Sequence, residues 1–288
     1  MNQTTNPAHY PLTSSQHEIW FEQQLYPELP LYNIGGYVDL PDAIDTALFQ
    51  KAVNLLICKH DNLRIQLLAE TDEDGVPYQC IQDMLEVTVP VQDVSQASDP
   101  VAAAQDWMQA RFRTPFVLTG QPLFRYDLIK LADDHYYWLL QYHHLINDGW
   151  GVALLNRSLA DLYSALVAGQ APDLSAPSYT DWIAQDRAYV DSATFRKNRD
   201  YWLHQYPTAP EPLLSPRYRT QYTDDIIHSG CETQSLPRAF YQQLERFAAQ
   251  HQVSVFHILI GALTVYFTRI TQREDFAIGL PVLNRARA

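Results

Sequence analysis

The sequence predicts an α/β fold. Helical and strand periodicities alternate along the chain, two strand-like runs are separated only by Ala132-Asp133-Asp134, and the period returns to helical at Trp150. With 288 residues, 47% of them hydrophobic, the chain can bury one large core or two modest ones.

Ser15-Gln16-His17-Glu18 reads as a capping box that opens a first helix carrying Ile19, Trp20 and Leu25. A second helix is expected after Asp42 or Asp45, where Leu48, Ala52, Leu55 and Leu56 recur at helical spacing. It leads into a strand at Leu63 to Leu68. Asp99 to Phe112 forms a third helix, and Leu123 to Leu131 with His135 to His143 form a hairpin. Val152, Leu155, Leu159, Leu162 and Leu166 then share one face of a helix that Gly169 is placed to end. Ala171 to Pro177, with two prolines, reads as a linker, which divides the chain into residues 1–175 and 176–288. Beyond it, helices are expected at Tyr179 to Tyr189, Thr194 to Tyr206, Pro237 to Gln250 and Ser254 to Ile270. Pro207 to Pro216 is a loop and Phe276 to Val282 a short strand.

Composition excludes several functions. A net charge of -13 opposes general binding to nucleic acid or anionic membranes, which needs clustered Lys and Arg. Met1 to Tyr10 has neither the basic cluster nor the apolar run of a targeting signal, and Phe256 to Phe267 is shorter than the ~20 residues that span a bilayer. A soluble cytoplasmic protein is expected. Cys58, Cys80 and Cys231 lie far apart, which argues against a disulfide framework or a zinc site.

The chemically informative segment is Gln141 to Trp150, at the junction of a strand and a helix. A residue ending a strand projects from a rigid base, and the following helix start offers unpaired amides and partial positive charge to an oxyanion. The strand period sends His143 and His144 to opposite faces, so the two are not equivalent. For the same reason they diverge as zinc ligands, and no third nitrogen or sulfur ligand accompanies them; no metal is expected.

His143-His144-Leu145-Ile146-Asn147-Asp148-Gly149 matches an HHxxxDG motif, and four further segments resemble motifs of one family in the right order. They are Leu12 to Gln16 with Trp20, Lys59 to Arg64, Tyr179 to Trp182, and Ile278 to Arg285. On these residues the chain resembles the condensation domains of non-ribosomal peptide synthetases. It departs from them at Gln185, where tryptophan is frequent, and at Gly151, where serine is common.

The resemblance implies a chloramphenicol acetyltransferase-like fold: two α/β lobes in a V-shaped pseudo-dimer, the active site between them, the second lobe truncated here. It implies attack by a carrier-bound aminoacyl amine on an acyl thioester, giving an amide and a free thiol, as in peptide antibiotic or lipopeptide biosynthesis. The partners would be donor and acceptor carrier proteins bearing 4'-phosphopantetheine, or a coenzyme A donor, with adenylation and carrier domains as neighbours; no cofactor would be bound by the domain itself. An unperturbed histidine titrates near ~6.5, so His144 would act as base or as positioner of the amine. His143 would sit beside it, and the Gly149 amide would meet the oxyanion. Asp148 would hold the loop by pairing with Arg285 or Arg64, and Trp150 would shape the tunnel. Trp20 and Trp182 are read as packing, and His60 and His257 are given no chemical role.

If Met1 is the natural start, the donor arrives in trans, as for a chain-initiating starter domain. An epimerisation domain shares HHxxxDG, but the Ser-Trp-Arg run associated with that branch is missing. Cyclising relatives replace the histidines by aspartate. A non-catalytic scaffold would carry a degraded motif, and this one is intact.

Overall fold

The computed structural model describes residues 8–214 and 232–280. The chain divides into two compact units at Arg196 and Lys197. The first contains β1 (His9–Tyr10), α1 (Ser14–Leu25), β2 (Asn33–Leu40), α2 (Thr46–Lys59), β3 (Ile65–Thr71), β4 (Pro77–Ile81), β5 (Val91–Asp93), α3 (Pro100–Phe112), β6 (Phe124–Ala132), β7 (His135–His143), α4 (Gly149–Val167) and α5 (Tyr179–Val190). α6 (Ala193–Gln205) crosses the division, and α7 (Arg238–Gln250) and α8 (Val255–Thr271) pack together in the second unit.

A four-stranded sheet in the order β2-β7-β6-β5 carries the site, and a second sheet runs β1-β4-β3. β6 and β7 form the expected antiparallel hairpin. Both faces of β7 are covered, which accounts for its nearly unbroken apolar run. Trp138, Leu140 and Tyr142 join the main core with Phe49, Val53 and Leu56 of α2 and Leu155, Leu159 and Leu162 of α4. Tyr137 and Leu139 face the other way, onto Ala104 and Met108 of α3.

β2 pairs with β7 through Gly35, whose φ is +141°; a Cβ there would lie 2.1 Å from the Leu140 carbonyl oxygen, so the pairing requires glycine. This strand was not expected, nor were β4 and β5. Helix starts follow their caps. Asp45, rather than Asp42, caps α2 by accepting from the Ala47 and Leu48 amides, and Asp99 caps α3 ahead of Pro100. Gly169 follows the end of α4 at a φ of +66°.

The capping box of α1 corrects the sequence reading. Thr13 is the cap and Gln16 its reciprocal partner, two residues ahead of the expected Ser15 and Glu18. The shift turns Gln16 inward, 2% exposed, where its amide meets buried polar groups, and leaves Ser15 and Glu18 at the surface. Asp61–Arg64 is a turn of 3-10 helix, so the strand expected from Leu63 begins at Ile65.

Ala171 to Pro177 has no regular structure, and α5 beyond it is tied back to the first unit. Asp61 accepts from the Tyr179 amide, and Asp186 accepts from the Ser14 amide at 2.9 Å and its hydroxyl at 3.1 Å. In the expected terminal strand, Phe276 to Leu280 has no strand structure and the remainder lies outside the described residues, as do Ser215 and Pro216 of the expected loop. No single helix among the described residues is long and apolar enough to cross a membrane.

Candidate active site

β7 ends at His143, whose amide donates to the Leu123 carbonyl at 2.8 Å, and the chain then turns through His144, Leu145 and Ile146 before α4 begins. The turn is held at nearly every backbone group. His144 donates its amide to Tyr32 O at 2.9 Å, Leu145 to Nδ1 of His143 at 3.2 Å, and Ile146 to His143 O at 3.1 Å. The Leu145 carbonyl accepts from Nε2 of Gln16 and the Ile146 carbonyl from Nδ2 of Asn62, each at 3.0 Å. A turn anchored this way from α1, the Asp61–Arg64 turn and the lead-in to β2 offers its side chains from a rigid frame.

The two histidines occupy different environments, as their alternation requires. His143 is 1% exposed, in ring contact with Phe116 and Tyr32, and faces Oε1 of Gln23 at 3.3 Å. Burial, with the neighbouring His144 adding to it, pushes its pKa down to about 4, so it is neutral at physiological pH. His144 is partly exposed, and Tyr32 meets its ring edge-on at a centroid distance of 6.2 Å. No hydrogen bond engages the His144 imidazole among the described residues, so its nitrogens are available to a ligand. Tyr32 is anchored in turn: its hydroxyl donates to the Glu22 carboxylate, which holds the phenol up at about 12.

α4 starts beside this turn. Asp148 is its cap, Oδ1 accepting from the Gly151 amide at 2.8 Å. Gly149 is the first helical residue, exposed, with open space where a Cβ would be. Trp150 is 55% exposed and lies outside the core. Asn147 is buried against Gly151, and its Nδ2 has no hydrogen-bond partner among the described residues.

One of the two expected partners of Asp148 is excluded. Arg64 directs Nε to the Gln82 carbonyl and Nη1 to the carbonyls of Ile57 and Cys58, clamping the end of α2 to the residue that follows β4, so its donors are turned away from Asp148. Those carbonyls, left open at the helix end, are nearer to it than the carboxylate the charge pattern suggested. Arg285 lies outside the described residues. Trp20 packs against the core as expected, whereas Trp182 is on the surface of α5, as is Gln185. His60 meets Ser158 at 3.1 Å and His257 caps α8 with Ser254.

Gln16, Gln23, Tyr32 and Asn62 are the site residues that sequence reasoning missed. Gln16 and Asn62 lie inside motif segments already singled out, but among polar neighbours that give neither of them a distinguishing mark. Gln23 and Tyr32 carry none.

Comparison with known proteins follows the same lines. The family model for the condensation domain matches residues 6–288. A dimodular nonribosomal peptide synthase of Bacillus subtilis is 32% identical over 98% of the chain, and a linear gramicidin synthase protein of Brevibacillus parabrevis 31% over 97%. The chain spans 12% and 5% of their lengths. The first condensation domain of the calcium-dependent antibiotic synthetase, solved with a substrate analogue, superposes with a TM-score of 0.82 at 28% identity, covering 98% of this chain and 66% of that one. The starter condensation domain of rhizomide synthetase RzmA gives 0.63 at 36%, covering 71% and 51%. A variant of it in complex with C8-CoA gives 0.66 at 36%, covering 72% and 47%.

Proposed function

Because this chain belongs to the condensation-domain family, we propose that it forms an amide bond between a donor acyl thioester and the amine of an aminoacyl group on a carrier protein. The observation that carries this reading is the partly exposed, unengaged imidazole of His144 on a turn fastened at both sides, directly before a helix start. The attacking amine must lose a proton as the C–N bond forms and the thiolate leaves. His144 accepts that proton, or holds the amine by a hydrogen bond while another base takes it. The thioester oxygen gains charge in the same step, and the amide of Gly149, the first residue of α4 at its positive end, is the proposed donor to it. His143 is the buried support of the turn. Asp148 caps α4, and its proposed second role is an ion pair with Arg285. Trp150, exposed at the same helix start, is proposed to line the substrate path.

Donor and acceptor arrive as thioesters on 4'-phosphopantetheine arms of carrier proteins. The similarity to a starter domain, a variant of which was solved with C8-CoA, favours a coenzyme A or acyl-carrier donor. Adenylation and carrier domains are the proposed neighbours in the full-length protein, and a cytoplasmic setting belongs to the same proposal. The division into an N-terminal lobe, 1–175, and the first part of a second lobe, 176–288, belongs to the same proposal.

The test uses the full-length protein with acyl and aminoacyl carriers and mass spectrometry of the product. An amide of the combined mass is expected, and His144→Ala should abolish it. Near-normal amide formation by His144→Ala removes this residue from catalysis, and inversion of an α-carbon without coupling would point to epimerisation instead.

A further inference from the structure

We infer that Gln23, on the last turn of α1, is a positioning residue for His144: it fixes the tautomer of His143 and ties together the two backbone supports of the catalytic turn. The inference rests on the reading of His144 as the reacting histidine. Nε2 of Gln23 donates to the carbonyls of Tyr26 at 2.7 Å and Leu29 at 2.9 Å. Only the NH2 end of an amide can face two carbonyl oxygens, so Oε1 is the end that faces Nε2 of His143 at 3.3 Å. That nitrogen therefore carries the hydrogen. On the other side of the ring, the Leu145 amide can only donate, and it points at Nδ1 of His143 at 3.2 Å. Nδ1 is therefore the bare nitrogen.

Two independent constraints thus demand the same neutral tautomer, hydrogen on Nε2 and lone pair on Nδ1. The other tautomer, or the imidazolium, would set an N–H against the Leu145 N–H and push the turn away from β7. Gln23 also fastens residues 26–29, the segment leading to Tyr32, whose carbonyl accepts the His144 amide and whose ring meets the His144 imidazole edge-on. A single buried amide, 5% exposed, therefore governs both the Leu145 side and the Tyr32 side of His144.

The experiment combines spectroscopy and kinetics on the full-length protein with 15N-labelled histidine. In the parent, His143 should show a protonated Nε2 and an unprotonated Nδ1 across neutral pH. Gln23→Met, which keeps volume but removes the acceptor and both donors, should raise the share of the Nδ1–H tautomer, which the Leu145 amide alone then opposes. It should lower kcat at least about 10-fold and leave KM for the acceptor thioester within about 2-fold, since a small misplacement of a reacting group costs rate rather than binding. A parent His143 protonated on Nδ1 overturns the inference, and that measurement needs no variant to fold. So does a folded Gln23→Met with the parental tautomer and kcat. If the parent itself forms no amide, the proposed function fails, while the imidazole spectrum still decides whether Gln23 fixes His143.

Discussion

Asp61 receives the backbone N–H of Tyr179 at 3.0 Å from both of its carboxylate oxygens, and the Ser178 hydroxyl donates to it at 2.7 Å. The carboxylate thereby sits on the N-terminus of α5, where helix polarity favours an anion, and joins two of the motif segments that the sequence presents 118 residues apart. Asp61→Ala should cost about 1.5–3 kcal/mol, the range for a hydrogen bond to a charged group. It should also expose residues 171–177 to proteases. Urea denaturation and limited proteolysis check this; unchanged stability together with unchanged cleavage would show that α5 is held by other contacts.

Gln16 and Asn62 should matter out of proportion to their exposure, because each supplies the donor for a carbonyl of the turn that carries His144. Asn62→Ala leaves the buried Ile146 carbonyl without its partner, at about 1–3 kcal/mol. Gln16→Ala additionally breaks the pair with Gln79, where the two amides meet at 2.8 and 2.9 Å. Both variants should remain folded and lose amide formation by about 10- to 100-fold through misplacement of His144. Parental turnover in folded Asn62→Ala would mean the turn keeps its shape without this support.

The pH dependence of stability follows from His143. Its native pKa is about 4 against ~6.5 in the unfolded chain, so between these values the unfolded state binds more protons. Stability is therefore full above about pH 6.5 and falls as the pH drops toward 4, by about 3 kcal/mol for this one group. His60, also lowered by burial, acts in the same direction. Denaturation curves at pH 7, 6 and 5 should show the decline, and His143→Gln should flatten it. A variant as acid-sensitive as the parent would assign the loss to other groups.

How much of this was legible depends on what marks a residue in sequence. The hairpin, α3 and α4 were readable because Leu155, Leu159 and Leu162 repeat at helical spacing and because capping residues such as Asp99 sit immediately before a period change. The divergence of His143 and His144 followed from strand alternation alone. Amide relays leave no such trace: the partner of Gln16 is the Leu145 carbonyl 129 residues away, and neither charge nor periodicity records it. β2 was hidden by the glycine pair that allows its close approach to β7, since Gly35 and Gly36 weaken the alternation a strand would display. The proposed Arg64 to Asp148 pair failed for a related reason: opposite charges suggest a partnership, but open carbonyls at a helix end compete for guanidinium donors and do not appear in a charge count.

Gly151, where the family often carries serine, is matched to Asn147. A Cβ at position 151 would lie 2.0 Å from Asn147 Oδ1, 3.2 Å from its Cγ and 3.4 Å from Asp148 Oδ1. The Asn147 side chain therefore fills the space a larger residue would need. Alanine in a helix ordinarily gains about 1 kcal/mol over glycine. Here Gly151→Ala should instead lose about 1–2 kcal/mol, because the buried asparagine must shift next to the cap that starts α4. Removing the obstruction should reverse the sign: in an Asn147→Ala background, Gly151→Ala should be neutral or stabilising, a coupling of about 1–3 kcal/mol in a double-mutant cycle. Amide formation should follow the same pattern, since the Gly149 amide lies on the turn of helix that would be displaced. Additive effects of the two substitutions would separate Asn147 from Gly151 and leave the glycine without a packing reason.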